Sequence, residues 1–209
     1  MSDEIVGYFG YGSLVNAATL RTSYVGLKKA RLKGWRRHWQ SRGIETVAQP
    51  AGTGTQTTQI NLALLSIHRH AETIIDGMLV LDRAEHLAKV DEREARYDRV
   101  EIPVGCLDVP EKDSSEALPE RLYVYVAQQQ QASLHTEHLL QSYLDAVMAG
   151  FHSAHGPEGV DRFIATTIGF DRPIHCDRSA PLYPRAVEIA PEMASLFDER
   201  LKACGVQFP

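Results

Sequence analysis

Residues 5–14 read Ile5-Val6-Gly7-Tyr8-Phe9-Gly10-Tyr11-Gly12-Ser13-Leu14. Ile5 to Phe9 is apolar, aromatic and β-branched, which predicts a strand. Gly10 to Ser13 punctuates its end, since glycine permits positive φ and close backbone approach. Successive N–H groups in such a turn form a nest for an anion, and Ser13 adds a hydroxyl. The spacing fits no better-known loop. A dinucleotide fingerprint needs a third glycine where Val15 stands. A nucleophile elbow needs G-x-S-x-G, whereas Ser13 directly follows Gly12. No Walker lysine follows Gly12. An ordinary strand-ending turn explains the same residues, so both readings stand at this point.

Outward from that stretch, Ala30 to Trp39 reads as a strand, and Thr46 to Thr58, rich in Gly, Thr and Gln, reads as a loop. Gln59 to Ile67 and Thr73 to Leu81 read as consecutive strands. Arg83 to Arg96 reads as a helix with Asp82 as its N-cap and Glu85 completing a capping box. Val100 to Val109 reads as a strand that Pro103 confines to an edge or bulge. Pro110 to Glu120 is turn-rich, and Arg121 to Ala127 alternates as a strand. His135 to His155 carries one apolar stripe, Leu139, Leu140, Tyr143, Leu144, Val147, Met148 and Phe151, so it reads as a helix ended by Gly156-Pro157. A short helix is expected around Gly159 to Thr166, a late strand over Arg185 to Ile189 and a closing helix over Pro191 to Cys204. Strands that follow one another directly argue for an antiparallel or mixed sheet with helices outside. The expectation is an α+β protein: a small mixed, mostly antiparallel β-barrel with packed helices. It forms one domain over residues 1–209, with a barrel core of about 1–130 and a mainly helical extension, 131–209.

One carboxylate stands out on the helix over 83–96. At about 100° per residue, Leu87 and Val90 share a side, and Glu94 falls within roughly 20° of Leu87. Asp91 lies near the same stripe. A glutamate on a buried face is costly unless paired, and burial favours its neutral form. Such a group suits general acid/base chemistry. The plainer reading pairs Glu94 with Arg93, Arg96 or Arg99, or exposes it if the helix ends early.

Several short motifs, taken in order, resemble the γ-glutamylcyclotransferase superfamily, including its ChaC-type glutathione-degrading members. Tyr8-Phe9-Gly10-Tyr11-Gly12-Ser13-Leu14 is similar to that family's F-G-Y-G-S-L strand and loop. Gly34-Trp35-Arg36-Arg37-His38-Trp39 resembles its G-W-R-R-x-[FW] stretch, and Gly77-Met78-Leu79-Val80-Leu81 its G-V-x-[YW]-x strand. Val90-Asp91-Glu92-Arg93-Glu94-Ala95 is similar to its L-[DN]-x-[RQ]-E-[AG] helix, and Tyr125-Val126-Ala127 to its Y-V-A strand. The resemblance implies the superfamily's compact barrel, Glu94 as catalytic acid/base, and a substrate grip made by Tyr11, Gly12, Ser13 and Leu14. It implies conversion of a γ-glutamyl amide to 5-oxoproline and a free amine, with no cofactor and no metal. A family tyrosine that follows the glutamate after a Gly-rich insert falls on Tyr97, only three residues on, so the insert is absent here. Residues 131–209 exceed the simplest members, and Ser179-Ala180-Pro181-Leu182-Tyr183-Pro184-Arg185 is expected to close one side of the pocket. A plain structural role for Tyr183 and Arg185 is the alternative. A non-enzymatic small-molecule-binding module on the same fold is the alternative for the whole chain.

Composition narrows the classes. The chain has 209 residues, 44% hydrophobic and 23% charged, with a net charge of -5; that composition suits a soluble globular protein able to bury a core. Arg36, Arg37 and His38 form the densest basic stretch, too little for a nucleic-acid partner. No apolar run approaches the ~20 residues of a membrane span, and Met1-Ser2-Asp3-Glu4 begins no signal peptide. Cys106, Cys176 and Cys204 are far apart and odd in number, which fits a reducing, cytoplasmic location. His68 and His70, His135 and His138, and His152 and His155 lack a third ligand, so no metal is expected. His175-Cys176-Asp177 holds the residue types of a thiol triad, but sequence neighbours rarely point together. The expected partner is a small γ-glutamyl molecule; oligomeric state is not legible.

Overall fold

A computed structural model describes residues 4–20, 23–51, 54–110, 117–128 and 136–209. Met1 to Asp3, His135, and most of the turn-rich stretch 110–120 lie outside the described residues. Strand β1 (Ile5–Gly10) forms where the apolar run predicts it. Its side chains alternate between two buried faces, Phe9 on one and Val6 and Tyr8 on the other. β1 pairs antiparallel with β3 (Gly54–Arg83) and parallel with β6 (Leu122–Ala127). β2 (Gly26–Ala51) runs antiparallel to β3 along its whole length. With β4 (Tyr97–Ile102) and β5 (Leu107–Asp108), the sheet order is β4-β6-β1-β3-β2-β5. The result is the expected class, a curled, mixed and mostly antiparallel half-barrel with helices.

Each face of the sheet is covered by helix. α1 (Leu87–Arg93) lays Leu87 and Val90 on the face shared by Val6, Tyr8, Val80, Tyr123 and Tyr125. α2 (Gln141–His155), α3 (Pro157–Ala165) and α4 (Pro191–Ala203) cover the other face through Leu144, Phe151, Phe163 and Phe197. That cluster is continuous from Phe9 to Val206. Each fully buried Leu or Phe contributes about 1.5–3 kcal/mol. No helix among the described residues is long and apolar enough to cross a membrane.

Several expectations need correction. Thr46 to Thr58 is not an open loop: its described backbone is the end of a hairpin, paired from Val47↔Thr58 to Ala51↔Gly54. The two strands expected at 59–67 and 73–81 are one strand, β3. A register shift opposite Gly34 separates Trp35↔Arg69 from Lys33↔Ile74, which is the break the sequence signalled. Gly34 supplies the required φ of +79° there. The helix expected over 83–96 is shorter, because Asp82 is no N-cap. Asp82 is fully buried at the end of β3, where it accepts from the Arg83 amide (2.8 Å) and pairs with His86 (2.6 Å). Glu85 makes no capping box. The helix expected from His135 starts at Gln141, because Leu139 and Leu140 form strand β7 against β9 (Ile174–His175). A further short strand, β8 (Thr167–Ile168), pairs with β2. Residues 185–189 are not a strand.

Candidate active site

Three distant segments enclose a cavity of about 300 Å³. The first is the turn after β1. Val15 N–H donates to Gly12 O (3.0 Å) and Asn16 N–H to Ser13 O (3.1 Å), which closes a short 3₁₀ turn over Ser13–Val15. The N–H groups that begin such a turn have no partner within it. Tyr11, Gly12, Ser13 and Leu14 all line the cavity. The Tyr11 carbonyl accepts from the buried Arg37 Nε (2.9 Å), and the Tyr11 hydroxyl donates to Tyr125 O (2.6 Å). Burial lowers the Arg37 guanidinium to about 9 against the pull of Asp76, so this strut remains cationic at neutral pH.

The second segment follows α1. Glu94 is not on the helix but is its C-cap residue, at φ −99° and ψ 33°. Its N–H still bonds Val90 O (2.9 Å), and Tyr97 N–H turns back onto Glu94 O (2.7 Å). The side chain is 12% exposed and lines the cavity. Of the three arginines that sequence offered as partners, Arg93 is the one used: its Nε donates to Glu94 Oε1 at 2.8 Å. Arg93 Nη1 also bonds Thr19 O (2.9 Å), and Thr19 Oγ1 bonds Ser13 O (2.6 Å). One arginine therefore fastens the Glu94 turn to the Ser13 turn. Asp91, the other carboxylate near the stripe, accepts from the Tyr125 hydroxyl (2.8 Å) and pairs with Arg99 (3.0 Å).

Tyr97 lines the cavity, and its hydroxyl donates to Leu65 O (2.9 Å). Burial pushes the phenols of Tyr11 and Tyr97 well above their ordinary value; Tyr143 adds to the first shift, Tyr11 to the second, and the Glu94 carboxylate to both. Tyr143 is raised by burial, then by Tyr97, Tyr183 and Glu94, while the Ser13 amide draws it down. All three rings stay neutral near pH 7 and surround one carboxylate.

The third segment lies in the extension. Tyr183, Pro184 and Arg185 line the cavity, so this stretch does wall one side. Tyr143 of α2 stands between it and the first turn: a Cβ on Gly12 would lie 2.7 Å from the Tyr143 hydroxyl. Sequence reasoning placed Tyr143 in the core stripe and missed its position in the cavity. It also missed Arg42 on β2, whose type carries no local motif.

The competing constellations disperse. His68 meets His38 (3.0 Å), His70 meets Thr73 (2.7 Å), and His155 bonds Gly77 O (3.0 Å). Asp177 points to Ser142, away from the exposed Cys176. All three cysteines are free.

No family model matches the chain, and no curated protein matches it by sequence. Solved structures do match. A gamma-glutamyl cyclotransferase aligns with a TM-score of 0.52 at 14% identity, over 94% of this chain and 99% of its own. The uncharacterized human protein loc79017 aligns with a TM-score of 0.52 at 15% identity, over 93% and 99%. At such identities the likeness establishes the fold: the chain has the γ-glutamyl cyclotransferase-like architecture.

Proposed function

We propose that the protein is a γ-glutamyl cyclotransferase that turns a γ-glutamyl amide into 5-oxoproline and a free amine. The observation that carries this reading is the placement of the Glu94 carboxylate in one cavity with the main-chain turn Tyr11-Gly12-Ser13-Leu14. In this reading the turn's amides and the Ser13 hydroxyl hold the glutamyl end and the oxyanion that develops on the γ-carbonyl. Glu94 takes one proton from the substrate's α-ammonium, which frees its lone pair. The α-nitrogen bonds to the γ-carbon and the C–O π pair moves to oxygen. As the tetrahedral centre collapses, the old C–N bond breaks and Glu94 returns its proton to the departing nitrogen. The ring nitrogen sheds its second proton to solvent, and the amine leaves as an ammonium ion after gaining one there. The attack is intramolecular, so the enclosing walls supply much of the acceleration by positioning. No water is consumed.

Arg93 bonds Oε1 of Glu94, and Oε2 has no hydrogen-bond partner among the described residues, which in this reading leaves it for the substrate. The same ion pair favours the second reading, a binding module in which Glu94 is a structural anchor. The two are separated by measuring 5-oxoproline release from a panel of γ-glutamyl amides. Glu94→Gln is expected to fold normally and to lose turnover by ~10² or more. Equal rates in the two proteins remove Glu94 from the chemistry; no release from any amide promotes the binding module.

A further inference from the structure

Four guanidinium groups line the cavity: Arg42, Arg93, Arg96 and Arg185. Three are matched by protein carboxylates. Arg42 and Arg96 share Glu45 (2.7 and 2.9 Å), and Arg93 holds Glu94. Arg185 has no carboxylate partner among the described residues. Its Nε donates to the Tyr183 hydroxyl (3.2 Å), and its guanidinium carbon lies 5.3 Å from the centre of the Tyr183 ring.

This cation is held in place by its surroundings. Ala186 N–H closes onto Tyr183 O (3.0 Å), so Tyr183-Pro184-Arg185-Ala186 is a β-turn with proline at its second position, where the fixed φ of proline suits it. Tyr183 is buried, its amide donates to Ser142 Oγ (3.3 Å), and its ring meets Tyr143 edge-on at 5.0 Å. A planar fork that is already oriented loses little freedom when it grips a carboxylate in two-point fashion. Two aromatic rings, Tyr143 and Tyr183, separate Arg185 from the Gly12 turn that would hold the glutamyl end.

We infer that Arg185 binds a carboxylate on the leaving half of the substrate. The site then selects γ-glutamyl amides of amino acids or peptides over those of neutral or cationic amines. This assignment rests on the cyclotransferase reading for the orientation of the substrate, but its test does not require turnover. Glutaryl-alanine keeps both carboxylates of γ-glutamyl-alanine and lacks the attacking amine, so it cannot cyclise; glutaryl-alaninamide lacks the second carboxylate. Calorimetric titration of the wild-type protein is expected to give tenfold or more tighter binding of the acid, on the order of one bidentate charged contact. In Arg185→Gln the two mimics are expected to bind within twofold of each other, with an unchanged circular dichroism spectrum. Equal affinities in the wild type, a preference that survives the substitution, or binding of neither mimic at millimolar concentration overturns the assignment. Binding with the expected preference but without 5-oxoproline release from any amide of the panel instead removes the cyclotransferase reading and leaves Arg185 as a carboxylate receptor.

Discussion

The two walls of the cavity are held by different physics. The wall made by Tyr11 to Leu14 and Glu94 is built from consecutive residues whose own amides and carbonyls set the turns. A single side chain, Arg93, links the two turns. The wall made by Tyr143, Tyr183 and Arg185 has no such local logic. It depends on Asp177, a buried carboxylate that accepts from the Ser142 amide (2.8 Å), the Ser142 hydroxyl and the Leu182 amide (2.9 Å). Ser142 Oγ then accepts from the Tyr183 amide. The first wall is a local conformation placed by the sheet. The second is a loop fastened to α2 by side chains, by Asp177 at Ser142 and by the neighbouring Arg178 on Asp145 (2.7 and 2.9 Å).

The largest effect that can break this contrast is Glu94→Gln, which should remove turnover while both walls stand. Arg185→Gln comes next, removing the acid preference of the second wall and leaving the first untouched. Asp177→Ala then tests the fastening itself. It leaves the Ser142 and Leu182 amides without their acceptor, which should cost about 3 kcal/mol for buried bonds to a charged partner. Chemical denaturation should read that loss, and the acid preference in mimic binding should fall toward that of Arg185→Gln. Normal stability with full preference would mean that the two walls do not differ as described.

A pH dependence follows from the phenols that line both walls. Burial raises Tyr11, Tyr97 and Tyr143 above the ordinary value near 10. Below that value the phenols are protonated folded and unfolded alike, so they add no pH dependence to stability. Above it the unfolded phenols ionise while the folded ones resist, so stability falls as pH rises, by about 1.4 kcal/mol per pH unit for each such tyrosine. Denaturant midpoints measured from pH 9 to pH 11 should decline accordingly. A flat profile would show that these hydroxyls remain in contact with water.

The same contrast explains what the sequence reveals. Tyr11 to Ser13 and Glu94 are readable because each lies in a short stretch whose residue types dictate its turn. Periodicity points to a shielded Glu94, and its side chain is 12% exposed although the helix ends one residue before it. Asp82 misleads because a carboxylate before an apolar run resembles an N-cap, while its partner His86 and its burial beneath Tyr8 are tertiary facts. Thr46 to Thr58 misleads for a related reason: its glycines suggest a loop, yet the ladder begun at Gly26↔Leu81 carries weak strand formers along with it. Tyr143 sits at helical spacing among core residues, and only the approach of Gly12 reveals that its hydroxyl faces the cavity. Arg185 gains its meaning from the absence of a carboxylate beside it among the described residues, which no spacing rule encodes.

The smallest predicted effect separates grip by main chain from grip by side chain in the first wall. The Tyr11 hydroxyl donates to Tyr125 O at 2.6 Å, so it already has a partner and acts as a strut between β1's turn and β6. Tyr11→Phe removes that bond and leaves the Tyr125 carbonyl short of one donor, a loss of about 1 kcal/mol. The turn's amides are untouched, because Arg37 Nε bonds the Tyr11 carbonyl rather than its ring. Turnover should therefore stay within a few-fold of the wild type while the denaturation midpoint falls slightly. If turnover instead dropped as far as in Glu94→Gln at the same stability, the hydroxyl would have to touch the reacting atoms, and the first wall would owe its chemistry to a phenol as much as to its backbone.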